Sequence, residues 1–252
     1  MKIHFVYSPN ARSRSAYEAM VKIYGQCPVY KADCVVVLSG DGMILRAFHE
    51  NYQHNLPIYG MNRGELGFLT NKYQKEDLVR RIENAVPLKF HPLRALVEKE
   101  NGEIHSAIAV NEVYLLRETH QSAKLQVKID GVVRLEELVC DGLITSSALG
   151  STAYNYSAGG PIIPSGAALM TLTPISSFRP RCWRGALLPE ETCVELKVLH
   201  HDSRPVCAVA DYVEFRNAVS VKIVRDKSLT FSLLLDPDNT LEKKILEEQF
   251  AT

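Results

Sequence analysis

At Ser39-Gly40-Asp41-Gly42 a carboxylate sits between two glycines, directly after the aliphatic run Cys34–Leu38 and directly before a helical pattern. A strand entering such a turn ends at the edge of a parallel sheet where ligands bind, and glycines there let backbone N–H groups approach an anion closely. The third glycine of a dinucleotide fingerprint would fall at Leu45, and no G-x-x-x-x-G-K-[ST] loop occurs anywhere in the chain. Phosphoryl transfer to an alcohol needs the hydroxyl held in line and its proton accepted, which is work for a carboxylate placed as Asp41 is. The alternative is that Asp41 only caps the helix. Arg46, one turn further on, can reach phosphate oxygens or can simply be solvated.

Three other groups invite chemistry. The glycine-punctuated segment Gly60–Asn71 holds Phe68, whose ring can cover a base or join the core. Asn111-Glu112 follows the apolar Ile108–Val110, and an amide beside a carboxylate suits a ribose diol. Adjacent strand residues face opposite sides, so both serve one ligand only where the strand ends or bulges. The last group begins at Asp141-Gly142 and runs through Ala148–Gly166, dense in Gly, Ser and Ala and containing Thr152, Ala153, Tyr154 and Ser157. A long irregular segment of this kind inside a strand-rich region suits close backbone contact with a large polar ligand.

Taken in order, these pieces resemble the NAD kinase family, and in detail its short bacterial form. The G-G-D-G-type motif stands at 39–42, N-E at 111–112, G-S-T-A-Y at 150–154 and S-A-G-G-P at 157–161. The likeness continues through Thr173-Pro174-Ile175 and Ser177-Phe178-Arg179-Pro180 to the C-terminal helix. The first motif is shared with diacylglycerol and sphingosine kinases and with 6-phosphofructokinases; the N-E and G-S-T-A-Y pieces make the match specific. The resemblance implies ATP-dependent phosphorylation of the adenosine ribose 2'-hydroxyl of NAD, giving NADP, with Mg²⁺ or a similar ion carried mainly on the donor phosphates and no protein metal ligand assigned. By matching position it implies Asp41 as general base, Gly40, Gly42 and Arg46 on the phosphate side, and Asn111 and Glu112 on the ribose. Phe68, Thr152 and Ala153 would border the adenine, Asp141, Tyr154 and Ser157 would complete the pocket, and Asp41 and Gly42 would touch the dinucleotide as well. The family also implies a homodimer or homotetramer. Ser39 and Met43 depart from the usual Gly and Thr or Ser, removing a hydroxyl near the donor, and Ser147-Ala148-Leu149 replaces a Thr-Pro-small run.

The elements that must position these residues follow from periodicity. Lys2–Tyr7, Cys34–Leu38 and Pro57–Met61 read as strands and Ser13–Tyr24, Met43–Tyr52 and Gln74–Ala85 as helices, an alternation that makes a parallel, helix-flanked sheet. After Pro87 short strands follow one another, with Asn101-Gly102 and Asp130-Gly131 as hairpin turns and Lys124–Ile129, Val132–Val139, Cys193–Leu199, Val206–Phe215, Val219–Val224 and Leu229–Leu235 as strands. We therefore expect an α/β domain over 1–86, to which 237–252 returns as a helix capped by Asn239 and Glu242, and an all-β, sandwich-like domain over 87–236 carrying much of the NAD site.

Composition narrows the function classes. Lys plus Arg and Asp plus Glu both number 29, so no net field recruits nucleic acid, and no apolar run approaches the ~20 residues of a membrane span. The six cysteines lack a C-x-x-C pair and the N-terminus lacks a secretory signal pattern, so reduced thiols and a cytoplasmic location are expected. Two competing functions stay open: a lipid or sugar kinase sharing only the Asp41 motif, and a nucleotide-binding regulator without transfer activity.

Overall fold

The computed structural model describes residues 1–64 and 67–250, and the chain divides into two compact units, Met1–Phe90 with Ser228–Thr252 and His91–Lys227. Glu65 and Leu66 of the Gly60–Asn71 segment, and Ala251 and Thr252 of the expected terminal helix, lie outside the described residues.

The first unit begins β1 (Ile3–Tyr7), α1 (Ala11–Tyr24), β2 (Cys34–Ser39), α2 (Asp41–Asn51), β3 (Ile58–Asn62), α3 (Leu78–Asn84) and β4 (Val86–Phe90). Asn10 starts α1, its side-chain oxygen accepting the Ser13 N–H at 2.8 Å, so the helix begins before the expected Ser13. Every residue of β2 is buried, as befits a strand covered on both faces. The expected helix Gln74–Ala85 is cut to α3 because Asp77 takes a left-handed conformation at φ 55°, which no helix interior accepts. Met20, Val36, Leu38, Tyr59, Met61 and Leu78 form the core between sheet and helices.

The second unit runs through β5 (Leu93–Lys99), β6 (Ile104–Ala109), β7 (Glu112–Arg117), β8 (Ala123–Ile129), β9 (Val132–Cys140), β10 (Gly142–Ser146), the short α4 (Tyr154–Ser157), β11 (Leu169–Ile175), β12 (Ala186–Pro189), β13 (Val194–Val198), β14 (Val206–Ala210), β15 (Val213–Phe215) and β16 (Ala218–Arg225). Two six-stranded antiparallel sheets result, ordered β12-β11-β10-β7-β14-β15 and β6-β5-β16-β13-β8-β9. They share one apolar core, to which Val113, Leu115, Leu143 and Leu172 come from the first and Ala95, Leu125, Leu196 and Val221 from the second. The turn at Asp130-Gly131 has φ of 50° and 77°, the pair of positive values a two-residue hairpin requires. Val206–Phe215, expected as one strand, is instead the hairpin β14–β15, broken by Asp211 at φ 53°.

The chain then returns to the first unit as β17 (Phe231–Leu235) and α5 (Leu241–Gln249). β17 lies between β3, to which it is parallel, and β4, to which it is antiparallel over Phe231↔Phe90 through Leu235↔Val86. The borders therefore fall at 90 and 228 rather than 86 and 237, because Leu229–Leu235 completes the first sheet and is no part of the sandwich. The capping box also differs: Asn239 turns its amide to Thr70 O and Asn71 Oδ1, and Thr240 Oγ1 accepts the Lys243 N–H. Leu241 and Ile245 of α5 are buried, while Leu246 and Phe250 are exposed.

Candidate active site

In the first unit β2 delivers the chain to Gly40, the N-cap of α2, and makes Asp41 the first helical residue. The carboxylate does not cap its own helix. It crosses to the segment after β3, where Oδ2 accepts the Phe68 N–H at 2.8 Å and Oδ1 accepts the Leu69 N–H at 3.0 Å. Each oxygen thus keeps lone-pair capacity for another donor. Burial pushes the Asp41 pKa above the ordinary carboxylate value, against the pull of the two N–H groups and of the Lys244 ammonium. Phe68 is half-buried beside this contact. Arg46 is engaged by Glu50, Nε to Oε1 at 2.7 Å, as an exposed i,i+4 pair on α2.

In the second unit the chain bends at Val110-Asn111 as it passes from β6 in one sheet to β7 in the other, which meets the condition that both Asn111 and Glu112 can face one side only where a strand ends. The bend is held by a residue that composition did not single out. The Asp211 carboxylate accepts the N–H groups of Val110 (2.8 Å), Asn111 (2.9 Å) and Glu112 (3.3 Å). Its only sequence signal was the Asp at a left-handed turn position inside an otherwise apolar run. Ser147, just past the end of β10, grips the same bend, its N–H donating to Asn111 O at 2.9 Å and its hydroxyl to Val110 O at 2.7 Å. Gly150 then passes so close that a Cβ would lie 2.3 Å from Asn111 O and 2.5 Å from its carbonyl carbon and Cα. The N-E and G-S-T-A-Y pieces are therefore in backbone contact.

Glu112 is 7% exposed, and its Oε2 is buried with no hydrogen-bond partner among the described residues. Burial, and then the nearby Asp211 charge, push its pKa from 4.5 up to about 8. Such an orphan acceptor costs ~1–3 kcal/mol unless a ligand supplies a donor. Tyr154 opens α4 and packs edge-on against Tyr114, two residues along β7 from Glu112, with ring centroids 5.1 Å apart. Burial first, then the charges of Glu112 and Asp141, raise its hydroxyl pKa, which places all three in one electrostatic neighbourhood. Asp141, between β9 and β10, accepts from Arg117 Nε at 2.6 Å. Thr152 and Ala153 are half-buried just before α4, and Ser157 is exposed at its end. Asn155, unremarked in the sequence, is fully buried and fully used: Nδ2 donates to Ser151 O and Pro161 O, and Oδ1 accepts from Thr171 and Thr173.

The Glu112 shift predicts a pH dependence of folding. Between pH 4.5 and about 8 the folded protein holds a proton on Glu112 that the unfolded chain has released. Stability therefore falls as pH rises through that window, by at most about 1.4 kcal/mol per unit from this one group. Glu112→Gln, neutral throughout, should flatten that slope. Urea midpoints of both proteins at pH 5 and pH 8 measure it, and parallel slopes would reject the assignment.

The first unit thus carries a carboxylate at the strand-to-helix turn of its parallel sheet, and the second carries an orphan acid and a hydroxyl-rich loop on its β-sandwich. Residues 11–86 match the ATP-NAD kinase N-terminal domain and residues 110–226 the ATP-NAD kinase C-terminal domain. The chain belongs to the NAD kinase family and is an enzyme of that family. It is 47% identical over 247 residues to the NAD kinase of Rhizobium meliloti (strain 1021), covering 98% of this chain and 96% of that protein. It is 45% identical over 250 residues to the NAD kinase of Caulobacter vibrioides, covering 99% and 96%. The fold is that of yeast NADH kinase complexed with NADH (TM-score 0.86, 20% identity, 100% of this chain and 88% of that one). It is likewise that of the Archaeoglobus fulgidus NAD kinase in complex with ATP (TM-score 0.79, 21% identity, 98% of both chains). No helix among the described residues is long and apolar enough to cross a membrane. All six cysteines are free thiols, and burial pushes that of Cys34 up to about 12.

Proposed function

We propose that this enzyme transfers the terminal phosphoryl group of ATP to the adenosine ribose 2'-hydroxyl of NAD, with Asp41 taking the hydroxyl proton. The observation that carries the reading is the Asp41 carboxylate itself, half-buried at a helix N-terminus and oriented by two backbone N–H groups. Its raised pKa makes it a better base. Asn111 and Glu112 bind the ribose, the unpartnered Glu112 Oε2 taking a hydroxyl donor. Phe68, Thr152 and Ala153 border the adenine, and Asp141, Tyr154 and Ser157 complete the pocket. The backbone of Gly40 and Gly42 faces the donor phosphates, with Arg46 joining them only by releasing Glu50.

A divalent ion such as Mg²⁺ supplies charge neutralisation on the phosphate oxygens when bound. Among the described residues the one side-chain cluster of metal-ligating composition, Glu100, His201 and Asp202, lies on the second unit away from these residues in the chain. Met43 offers only a thioether, a poor partner for a hard ion. The donor set of this chain thus fits an ion that arrives on ATP, with Asp41 the acidic group beside Gly40 and Gly42. Assembly as a homodimer or homotetramer belongs to the same reading and is checked by light scattering.

Calorimetry with NAD followed by a coupled NADP assay tests the proposal. Tight NAD binding with NADP formation supports it, NAD binding without turnover identifies a regulator, and neither identifies a kinase for another alcohol. Within the assay series, Glu112→Gln and Asn111→Ala should each weaken NAD binding by about 1 to 3 kcal/mol as a buried ribose hydroxyl loses its partner. Wild-type affinity in both would make these residues structural.

A further inference from the structure

The mechanism above leaves unused a half-buried cation. Lys244 projects from α5, and its Nζ donates to Phe68 O at 2.9 Å and Thr70 O at 2.6 Å. The peptide whose carbonyl is Phe68 O is the one whose N–H, on Leu69, donates to Asp41 Oδ1. One planar amide therefore has an ammonium on its oxygen and a carboxylate on its hydrogen. Each end polarises the amide toward the other, so the two contacts strengthen one another beyond what either makes alone. Thr70 O also accepts from Asn239 Nδ2, and Asn71 binds Asp236 N–H and Leu234 O, so the segment is anchored along its length to the returning end of the chain.

We propose that Lys244 is a positioning residue for the reaction, fixing the 68–70 backbone so that its N–H groups hold Asp41 in one orientation and keep its carboxylate charged. The inference rests on the reading of Asp41 as the base. A lysine doing no more than docking a helix would place its ammonium toward solvent; here burial pushes its pKa from 10.5 down to about 8, with Asp41, Asp236 and Glu247 pulling the other way. These are the charged groups that face it, from α2, from the end of β17 and from α5 itself. Holding a half-buried cation against two carbonyls is what the Asp41 network requires and what hydrophobic docking through Leu241 and Ile245 does not.

The test compares Lys244→Met, Lys244→Arg and Ile245→Val in the whole enzyme. Lys244→Met should lower kcat roughly ten-fold or more with a smaller change in the KM for NAD, and should move the acid limb of the kcat profile to higher pH, since Asp41 loses its compensating charge. Lys244→Arg should restore most of both, while Ile245→Val should lower Tm by a few degrees and leave the limb in place. Direct titration of the Asp41 carboxyl by carbon NMR, its resonance assigned by its loss in Asp41→Asn, should show the same upward shift in Lys244→Met with no substrate present. That readout separates this inference from the proposed function, because it stands or falls whether or not the wild type makes NADP. Should methionine leave the carbonyls stranded and the variant fail to melt cooperatively, Lys244→Gln, which donates without charge, must show the shift. A folded neutral variant whose Asp41 titration and acid limb coincide with wild type overturns the assignment, as does an acid limb shifted equally by Ile245→Val.

Discussion

Asp41→Asn is expected to lower turnover by roughly 10² or more while NAD affinity stays within a few-fold, because the amide keeps the shape of the carboxylate yet cannot take a proton. The structure adds a second cost. Both carboxylate oxygens accept a backbone N–H, from Phe68 and Leu69, and an amide offers one oxygen for the two. Its NH₂ would confront the other N–H, so the variant should also lose about 1 to 3 kcal/mol of stability. The two losses are separable: a chemical role removes the acid limb of the rate profile outright, whereas a displaced backbone raises KM and leaves a limb to titrate. Unchanged turnover would end the assignment of Asp41 as base.

Gly150→Ala should be strongly damaging at the proposed NAD-binding segment of the second unit. The added carbon would stand 2.3–2.5 Å from three backbone atoms of Asn111, and backbone held by Asp211 and Ser147 cannot give way as a flexible side chain would. Either the short turn 149–152 or the Asn111 bend must move, and each carries proposed NAD contacts. We expect NAD affinity to fall by about 10² or more, equivalent to ~2.7 kcal/mol, with ~1–3 kcal/mol lost from stability. Calorimetry and a urea melt on the one variant measure both; wild-type affinity would show that the two pieces need not touch for binding.

The course of the chain was legible in residues wherever periodicity and turn chemistry agreed. The buried run Cys34–Leu38, the glycine turn at 40–42 and the hairpin at Asp130-Gly131 each declare a local conformation that no tertiary contact had to impose. Partnership was another matter. Leu229–Leu235 has the alternation of its antiparallel neighbours, and nothing local says that it pairs with β3 and β4 across some 140 to 170 residues of intervening chain. Asp77 and Asp211 interrupt helix and strand by adopting left-handed conformations that aspartate tolerates but does not announce. At the candidate site the ligand-facing residue types could be read from their motifs, whereas the residues that aim them could not. Asp211 and Lys244 act through backbone groups of distant segments, and hydrogen bonds to backbone leave no pattern in composition or spacing.

The placement of β17 and α5 bears on the order in which the enzyme can be made. The first unit needs both Met1–Phe90 and the chain from Ser228 onward, and the whole of His91–Lys227 lies between. A ribosome adding ~5–20 residues per second spends on the order of ten seconds on that interval. During it β3 and β4 wait without the strand that separates them, and the exposed edge of an unfinished parallel sheet is what chaperones bind and what aggregates. The second unit, continuous in sequence, can fold in the meantime. Asp41 emerges early but receives its last support only when Lys244 arrives, so a translation product broken off before α5 carries the acid and not its setting.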